Sequence, residues 1–147
     1  MSTASTEPAG LGRRLGAALY DGLLLLALWF FATLALMPFT GGAIPPGDLR
    51  YEAYLVAVGG LFFVYFWSRG GQTLGMRAWR LRLVGPDGRP PRAGRAACRY
   101  LLAWLSWGLG GLGILWVLVD RERRAWHDLA CGTRVLRLPK GGLSARP

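Results

Sequence analysis

Cysteine and histidine are scarce in this chain, and that scarcity excludes several kinds of site. The 147 residues include two cysteines and one histidine. Cys98 and Cys131 form no C-x-x-C pair, and together with His127 they make no zinc-ligand spacing. We therefore expect neither a disulfide framework nor a metal centre, and we predict no cofactor.

Acidic residues are also few, because eight Asp and Glu stand against 18 Lys and Arg, a formal net charge of +10. Such an excess is typical of proteins that contact nucleic acid or anionic lipid. The basic residues flank long apolar runs, which favours anionic headgroups and disfavours nucleic acid. The sequence has no phosphate-binding loop, no Ser/His/Asp arrangement and no paired-carboxylate pocket. We therefore expect that the protein is not an enzyme.

The first long apolar run extends over residues 15–37 and contains a single carboxylate, Asp21. A run of this length predicts a membrane-spanning helix. Asp21 lies roughly 10 Å along that helix, at a depth inside the hydrocarbon. An ionised carboxylate there is costly unless it faces protein or water. We therefore expect another part of the chain, or a second copy, to cover Asp21.

A second apolar run, residues 51–67, predicts a second span. The following segment, residues 68–99, contains eight arginines and one acid, Asp87. The positive-inside rule places this segment in the cytoplasm. Two spans separate it from the N-terminus, so Arg13 and Arg14 should lie on the same side. These features predict a multi-pass protein of the bacterial inner membrane.

The third apolar run, residues 100–119, has two alternative interpretations. Four glycines lie at its centre, over residues 108–113, where they disfavour a continuous helix. The chain after it is rich in arginine, which predicts that the C-terminus is also cytoplasmic. We favour a helical hairpin that enters and leaves on the cytoplasmic side, with a single kinked span as the alternative.

Two short stretches alternate between polar and apolar residues, residues 80–84 and 133–138, and each predicts a strand. The hairpin would let them pair, whereas a single crossing would separate them within one copy. The predicted fold is an all-α membrane protein with two transmembrane helices, a third Gly-broken segment and a small two-stranded β-ladder. Residues 1–12 and 139–147 are predicted to be disordered tails around a single membrane domain, residues 13–138.

Four segments of the chain, in this order, resemble motifs of the RDD family of small membrane proteins. They are residues 14–21, 71–75, 95–100 and 123–133. The family is named for one arginine and two aspartates, and Arg14, Asp21 and Asp128 occupy the corresponding positions. The resemblance implies transport of undefined ligands, with cation/proton exchange proposed for some similar proteins.

Three roles are open for Asp21. It is a structural carboxylate held by Arg14, by Arg99 or by Ser106, or it is a proton or cation site, or it contacts a partner's membrane helix. Because two or three helices are too few to enclose a transport path, we expect a homo-oligomer or a larger membrane partner. The alternative function is a non-transporting adaptor or assembly factor for other membrane proteins.

Two further groups of residues are candidate sites. Arg124 and Asp128 have the spacing of an ion pair on one helix face. Beside them, His127 would titrate near neutral pH if it were unperturbed, which suggests a guarded cytoplasmic entrance. The second group is the polar loop motif, which consists of Gly71, Gln72, Thr73 and Gly75.

Overall fold

The computed structural model describes residues 7–139, which form six α-helices, one 3-10 turn and a three-stranded sheet. The helices are α1 (Leu11–Thr40), α2 (Leu49–Gly70), α3 (Leu74–Ala78), α4 (Ala93–Gly108), α5 (Leu112–Leu115) and α6 (Trp126–Cys131). The strands are β1 (Glu7–Pro8), β2 (Leu81–Val84) and β3 (Arg134–Arg137). The fold is therefore mostly helical, as predicted, with a small sheet at one end.

Helices α1 and α2 are both long and apolar enough to cross a membrane. Both extend beyond the predicted limits. Pro38 follows the predicted run, 15–37, yet it lies inside the last turn of α1. At that position a proline removes only one of the final backbone hydrogen bonds of the helix. Helix α2 begins earlier than predicted because the Asp48 side chain accepts a hydrogen bond from the Arg50 backbone N–H at 2.8 Å. Gly71, with φ of 70°, ends α2 in a left-handed conformation.

The two long helices are joined through hydrogen bonds far from the sheet. Trp29 Nε1 of α1 donates to the Leu55 carbonyl oxygen of α2 at 2.8 Å, and Tyr54 Oη of α2 donates to the Ala32 carbonyl oxygen of α1 at 3.1 Å. These polar tips find partners within the protein, as groups away from water must.

The sheet has the order β1-β3-β2 with antiparallel neighbours. Leu81 faces Arg137 and Val84 faces Arg134, which confirms the predicted pairing of residues 80–84 with 133–138. Strand β1 pairs with the other edge of β3, so the prediction of a disordered tail over residues 1–12 is wrong from Glu7 onward. Residues 1–6 and 140–147 lie outside the described range.

The third apolar run is broken. Helix α4 and the stretch comprising α5 and the following 3-10 turn, residues 112–118, meet at 102°. Gly110 and Gly111 occupy the break with φ of 71° and 79°, which glycine adopts without strain. Because strands before α1, after α2 and after this run share one sheet, the run begins and ends at the sheet end of the molecule. This is the geometry expected of the favoured hairpin.

A small core lies where the sheet meets the helices. Its buried members are Ala9, Ala17, Trp67, Met76, Leu81, Leu83, Ala96, Tyr100 and Val135. Tyr100 of α4 packs against Gly59 and Gly60 of α2 and donates to the Val56 carbonyl oxygen at 2.9 Å. A Cβ at Gly59 would lie 2.7 Å from Tyr100 Oη, so glycine there allows α4 to pack closely against α2.

Candidate functional site

A buried ion cluster ties the ends of three helices together. The Asp128 side chain is wholly buried, and Arg14 Nη1 donates to its Oδ2 at 2.6 Å. Arg99 Nη1 donates to its Oδ1 from the other side. We call Arg14, Arg99 and Asp128 the arginine–aspartate cluster. It joins α1, α4 and α6, which are remote in sequence.

The local structure of α6 fixes Asp128 in place. Asp128 is the third residue of α6, and its Oδ2 accepts a hydrogen bond from the Ala125 backbone N–H at 2.9 Å. Gly132, with φ of 60°, ends the helix, so that Thr133 N–H donates to the Asp128 carbonyl oxygen at 2.9 Å. Thr133 Oγ1 in turn accepts a hydrogen bond from Arg99 Nη1 at 2.9 Å.

The two guanidiniums dominate the electrostatics around α6. Burial by itself would raise the pKa of Asp128, but the charges of Arg99 and Arg14 outweigh it and hold that pKa below its usual range. Burial, reinforced by Arg99, lowers the pKa of His127 to about 3. His127 is therefore neutral at physiological pH. The condition under which it would titrate near neutrality, an unperturbed imidazole, is therefore not met.

Asp21 has a different environment, although it is also buried, at 4% exposure. Its Oδ1 accepts a hydrogen bond from Gly75 N–H at 2.9 Å, and its Oδ2 accepts one from the Thr73 hydroxyl. Among residues 7–139, no basic side chain forms an ion pair with it. The predicted cover is thus supplied by the same chain, through neutral donors.

The predicted partners of Asp21 were wrong. Helical side chains lean toward the helix N-terminus, so Arg14 extends away from Asp21 and reaches Asp128 and the Arg123 carbonyl oxygen. Arg99 is also committed to Asp128. Ser106 is buried against Gly113 and has no hydrogen-bond partner in the described part of the chain.

The polar loop motif is what reaches Asp21. Thr73 Oγ1 also caps α3, accepting from Met76 N–H at 3.2 Å. Gln72 Nε2 donates to the Leu81 carbonyl oxygen at 2.6 Å, which ties the loop to β2. A Cβ at Gly75 would lie 2.9 Å from Asp21 Oδ1, so only glycine lets α3 approach α1 this closely. Gly71 completes the motif by accepting from Leu83 N–H at 2.6 Å.

The predicted Arg124–Asp128 pair is absent from the described ion pairs. Arg124 Nε lies 3.1 Å from Asp120 Oδ2, and its Nη1 lies 3.3 Å from Glu122 Oε2. Arg124 precedes α6, so the helical spacing that would pair it with Asp128 does not apply there.

The two cysteines, which the sequence left unpaired, lie together. Burial, together with the neighbouring Cys98, raises the pKa of Cys131 to about 11. Cys98 is exposed. Both are free thiols in the structure.

A cavity of about 310 Å³ opens between α1, α2 and α4 beside the sheet. Its polar wall contains Arg14, Asp21, Arg99 and His127. Sequence reasoning missed Trp67, which joins this wall from α2 and packs its ring against the Arg99 guanidinium at 5.1 Å. Nothing in the spacing of residues 67 and 99 signals that contact, because it depends on how α4 crosses α2.

Comparison with known proteins finds matches along most of the chain. The sequence model of the RDD family matches residues 8–132. The chain is also 32% identical over 139 residues to the "Uncharacterized protein YckC" of Bacillus subtilis (strain 168), an alignment that covers 88% of this chain and 84% of that protein. No solved structure matches.

Proposed function

Since this chain belongs to the RDD family and has two helices that fit a bilayer, it is a membrane protein, and we propose that Asp21 handles protons or a monovalent cation within it. The observation that carries this proposal is the environment of Asp21: a buried carboxylate on the wall of a cavity, held by neutral donors. In this role the chain moves an ion and transforms no substrate.

The physical argument is one of charge. A carboxylate buried in a membrane protein needs a compensating positive charge, and such residues commonly mark ion or proton pathways. Both basic residues on the cavity wall, Arg14 and Arg99, are already bound to Asp128. A proton or a small cation in the cavity is therefore the charge that would compensate Asp21.

Orientation is part of the proposal. The sheet end carries the exposed arginines Arg77, Arg80, Arg89, Arg92, Arg95, Arg121, Arg123 and Arg134. Positive charge in loops favours the cytoplasmic side and attracts anionic headgroups. We place the sheet, and with it both ends of the membrane domain, on the cytoplasmic face of the inner membrane.

Native Cys98 tests this orientation because it is exposed near the sheet end. A membrane-impermeant maleimide should label Cys98 in inside-out vesicles and leave it unlabelled in intact spheroplasts. A Gly42→Cys variant that also carries Cys98→Ser, with its thiol in the loop between α1 and α2, should show the opposite pattern. Labelling of Cys98 from outside would refute the orientation.

A homo-oligomer is the assembly that we propose, because one copy has too few spanning helices to enclose a path. Small residues on the long helices allow close helix packing. A Cβ at Gly22 would meet no atom within 4 Å, and Ala53 and Ala57 are exposed on α2. Gly16 is not part of this surface, because Trp79 of the same chain covers it.

The decisive experiment compares proton flux in vesicles. Purified protein is reconstituted with a pH gradient, and internal pH is followed while Na⁺ or K⁺ is added outside. The variant is Asp21→Asn, which keeps an acceptor for Gly75 N–H and a donor for Thr73 but loses the charge. The matched control is Asp48→Asn, which removes a partly exposed carboxylate and keeps a good helix cap.

We expect cation-dependent proton flux in the wild type and in Asp48→Asn, and none in Asp21→Asn. Flux at the level of empty vesicles in all three would reject the proposal. In that case an adaptor role, in which the exposed small-residue surface binds another membrane protein, becomes the better explanation. Such a partner should co-purify with the wild type and dissociate when Ala53 and Ala57 are replaced by leucine.

A further inference from the structure

Three exposed residues at the end of α3 belong neither to the arginine–aspartate cluster nor to the surroundings of Asp21. They are Arg77, Trp79 and Arg80, and we call them the α3 surface. The Arg80 backbone N–H donates to the Arg77 carbonyl oxygen at 3.1 Å, so both arginines leave the chain within one turn. Among residues 7–139, neither arginine forms an ion pair. The α3 surface therefore has two positive charges that the described chain does not neutralise.

Trp79 places this surface at the level where α1 begins its apolar run. The Trp79 ring lies against Gly16 of α1, where an added Cβ would clash with it. The ring is nevertheless exposed on its other side. Tryptophan is enriched at the boundary between lipid headgroups and acyl chains, because its ring is apolar and its N–H is polar. The two arginines therefore lie close to the headgroup level.

An apolar strip continues from Trp79 along α1. Tyr20 and Leu23 follow Gly16 by four and seven residues, so they lie on the same face of the helix. Both side chains are exposed, at 46% and 62%. The α3 surface thus joins unpaired positive charge to an apolar strip that leads into the membrane.

The backbone at Arg80 gives a separate reason to ask what its side chain does. Arg80 has φ of 54°, in the left-handed region that long side chains rarely adopt. Its carbonyl oxygen accepts a hydrogen bond from Leu138 N–H at 2.8 Å, which accounts for this conformation. Glycine or asparagine would adopt it at a lower cost. The fold therefore needs the conformation of residue 80 but not its guanidinium.

We propose that the α3 surface binds the phosphate headgroup of an anionic membrane lipid. The guanidiniums of Arg77 and Arg80 bind the phosphate oxygens, which arginine matches in geometry and charge. The acyl chains lie along Tyr20 and Leu23. This apolar strip favours a lipid over a free anion, since a free anion would leave the strip uncovered.

This site is narrower than a general attraction of the arginine-rich end to anionic headgroups. Arg89 offers the comparison, because it is also exposed and forms no ion pair in the described part of the chain. It follows the opposite end of β2 from Arg80. No large hydrophobic side chain is exposed within residues 80–100, so Arg89 has no apolar strip beside it in its own segment.

The experiment counts bound lipid by native mass spectrometry. Purified protein in a mild detergent is titrated with phosphatidylglycerol or with phosphatidylcholine of the same acyl chains, and the Kd of the first bound lipid is measured. The variant is Arg80→Asn, which removes the guanidinium and suits the left-handed backbone. The matched control is Arg89→Asn. The wild type should prefer phosphatidylglycerol, because only that lipid has a net negative charge.

Each arginine near an anionic headgroup contributes about fivefold to affinity, so the Kd for phosphatidylglycerol should rise about fivefold in Arg80→Asn. In Arg89→Asn it should change less than about twofold. Arg77→Gln combined with Arg80→Asn should raise it about 25-fold. The Kd for phosphatidylcholine should not change in any variant. The free energy of unfolding of Arg80→Asn should not fall, since the strained backbone is relieved.

Equal Kd values for phosphatidylglycerol in the wild type and Arg80→Asn would overturn the proposal. So would equal losses in Arg80→Asn and Arg89→Asn, which would indicate general charge attraction. Displacement of the lipid by equimolar inorganic phosphate would identify a free-anion site instead. Asp21→Asn leaves the α3 surface intact and should bind phosphatidylglycerol like the wild type. Failure of ion flux and failure of lipid binding are therefore distinguishable.

Discussion

Two buried aspartates lie at the same end of this molecule and are stabilised in opposite ways. Asp128 accepts hydrogen bonds from two guanidiniums and has no exposed surface. Asp21 accepts from a threonine hydroxyl and a glycine N–H, and no cation in residues 7–139 pairs with it. Both aspartates match the two for which the family is named. Two arginines bind Asp128, whereas only neutral groups donate to Asp21.

This difference places different constraints on the charge of the two aspartates. Asp128 is fixed as a carboxylate by two permanent cations, because arginine does not deprotonate in proteins. Its charge state is therefore constant, and it can only hold α1, α4 and α6 together. Asp21 has donors that tolerate either a carboxylate or a protonated acid. In the function proposed above, Asp21 is the aspartate that changes its charge state as an ion arrives or leaves.

The largest expected effect is that of Asp128→Asn. The substitution leaves two guanidiniums buried without a counter-charge, which typically costs about 3–5 kcal/mol. We expect the free energy of unfolding in mixed detergent micelles to fall by that amount, or the folded yield to collapse. Asp120→Asn, which removes the partner of Arg124 near the surface, should change stability far less, because solvent screens that ion pair. Equal losses in the two variants would contradict the structural role of the cluster.

The second expected effect is a pH dependence of stability that comes from His127. Its folded pKa of about 3 lies below the usual value of 6.5, so the unfolded chain takes up a proton that the folded protein does not. Stability should therefore be complete above pH 6.5 and decline as the pH falls toward 3, by up to about 1.4 kcal/mol per pH unit. Unfolding titrations at pH 4–8 should show this slope in the wild type. In His127→Gln the slope should flatten over that range.

The third expected effect concerns the donors to Asp21. Thr73→Val removes both the hydroxyl that donates to Asp21 and the cap of α3, and should destabilise the protein by about 1–3 kcal/mol. Asp21→Asn keeps both contacts, so its cost should stay below about 1 kcal/mol. The same unfolding assay measures both. A large loss in Asp21→Asn would mean that the negative charge itself holds the fold.

The smallest effect is on thiol reactivity near the arginine–aspartate cluster. Only thiolate reacts with maleimide, and a pKa of about 11 leaves Cys131 with roughly one-hundredth of the thiolate of an ordinary cysteine. Cys98, which is exposed, should react first in the folded protein. Mass spectrometry after timed labelling at pH 7.5 checks this. Rapid labelling of Cys131 in Cys98→Ser would indicate that α6 opens from α4.

Much of the architecture could be predicted from local pattern. The length of the apolar runs located both spanning helices, and the alternation in residues 80–84 and 133–138 located two strands and their pairing. The glycines at 108–113 predicted the break in the third run. The pairing of Glu7–Pro8 with β3 was missed, because two residues carry no alternation and their partner lies more than a hundred residues away.

The partners of the charged residues could not be predicted in this way. The sequence offered Arg14 as a partner for Asp21, but the Arg14 side chain extends toward the helix N-terminus and reaches Asp128 instead. Residue separation suggested Arg124 for Asp128, whereas Arg99 reaches Asp128 from another helix. Spacing reports neighbours along one element, and these ion pairs join three elements.

By itself, the sequence determined that this protein enters a membrane and that both termini of the domain lie at its arginine-rich end. It also determined that Asp21 must be covered by protein or water. These follow from transfer free energies, which depend on residue type and run length. The tertiary structure decided which acid is neutralised by arginine and which is left to neutral donors. It did so because α3 packs against α1 beside Asp21, whereas α6 packs against α4 and places Asp128 between the two arginines. A charge takes its partner from the groups that packing brings within reach.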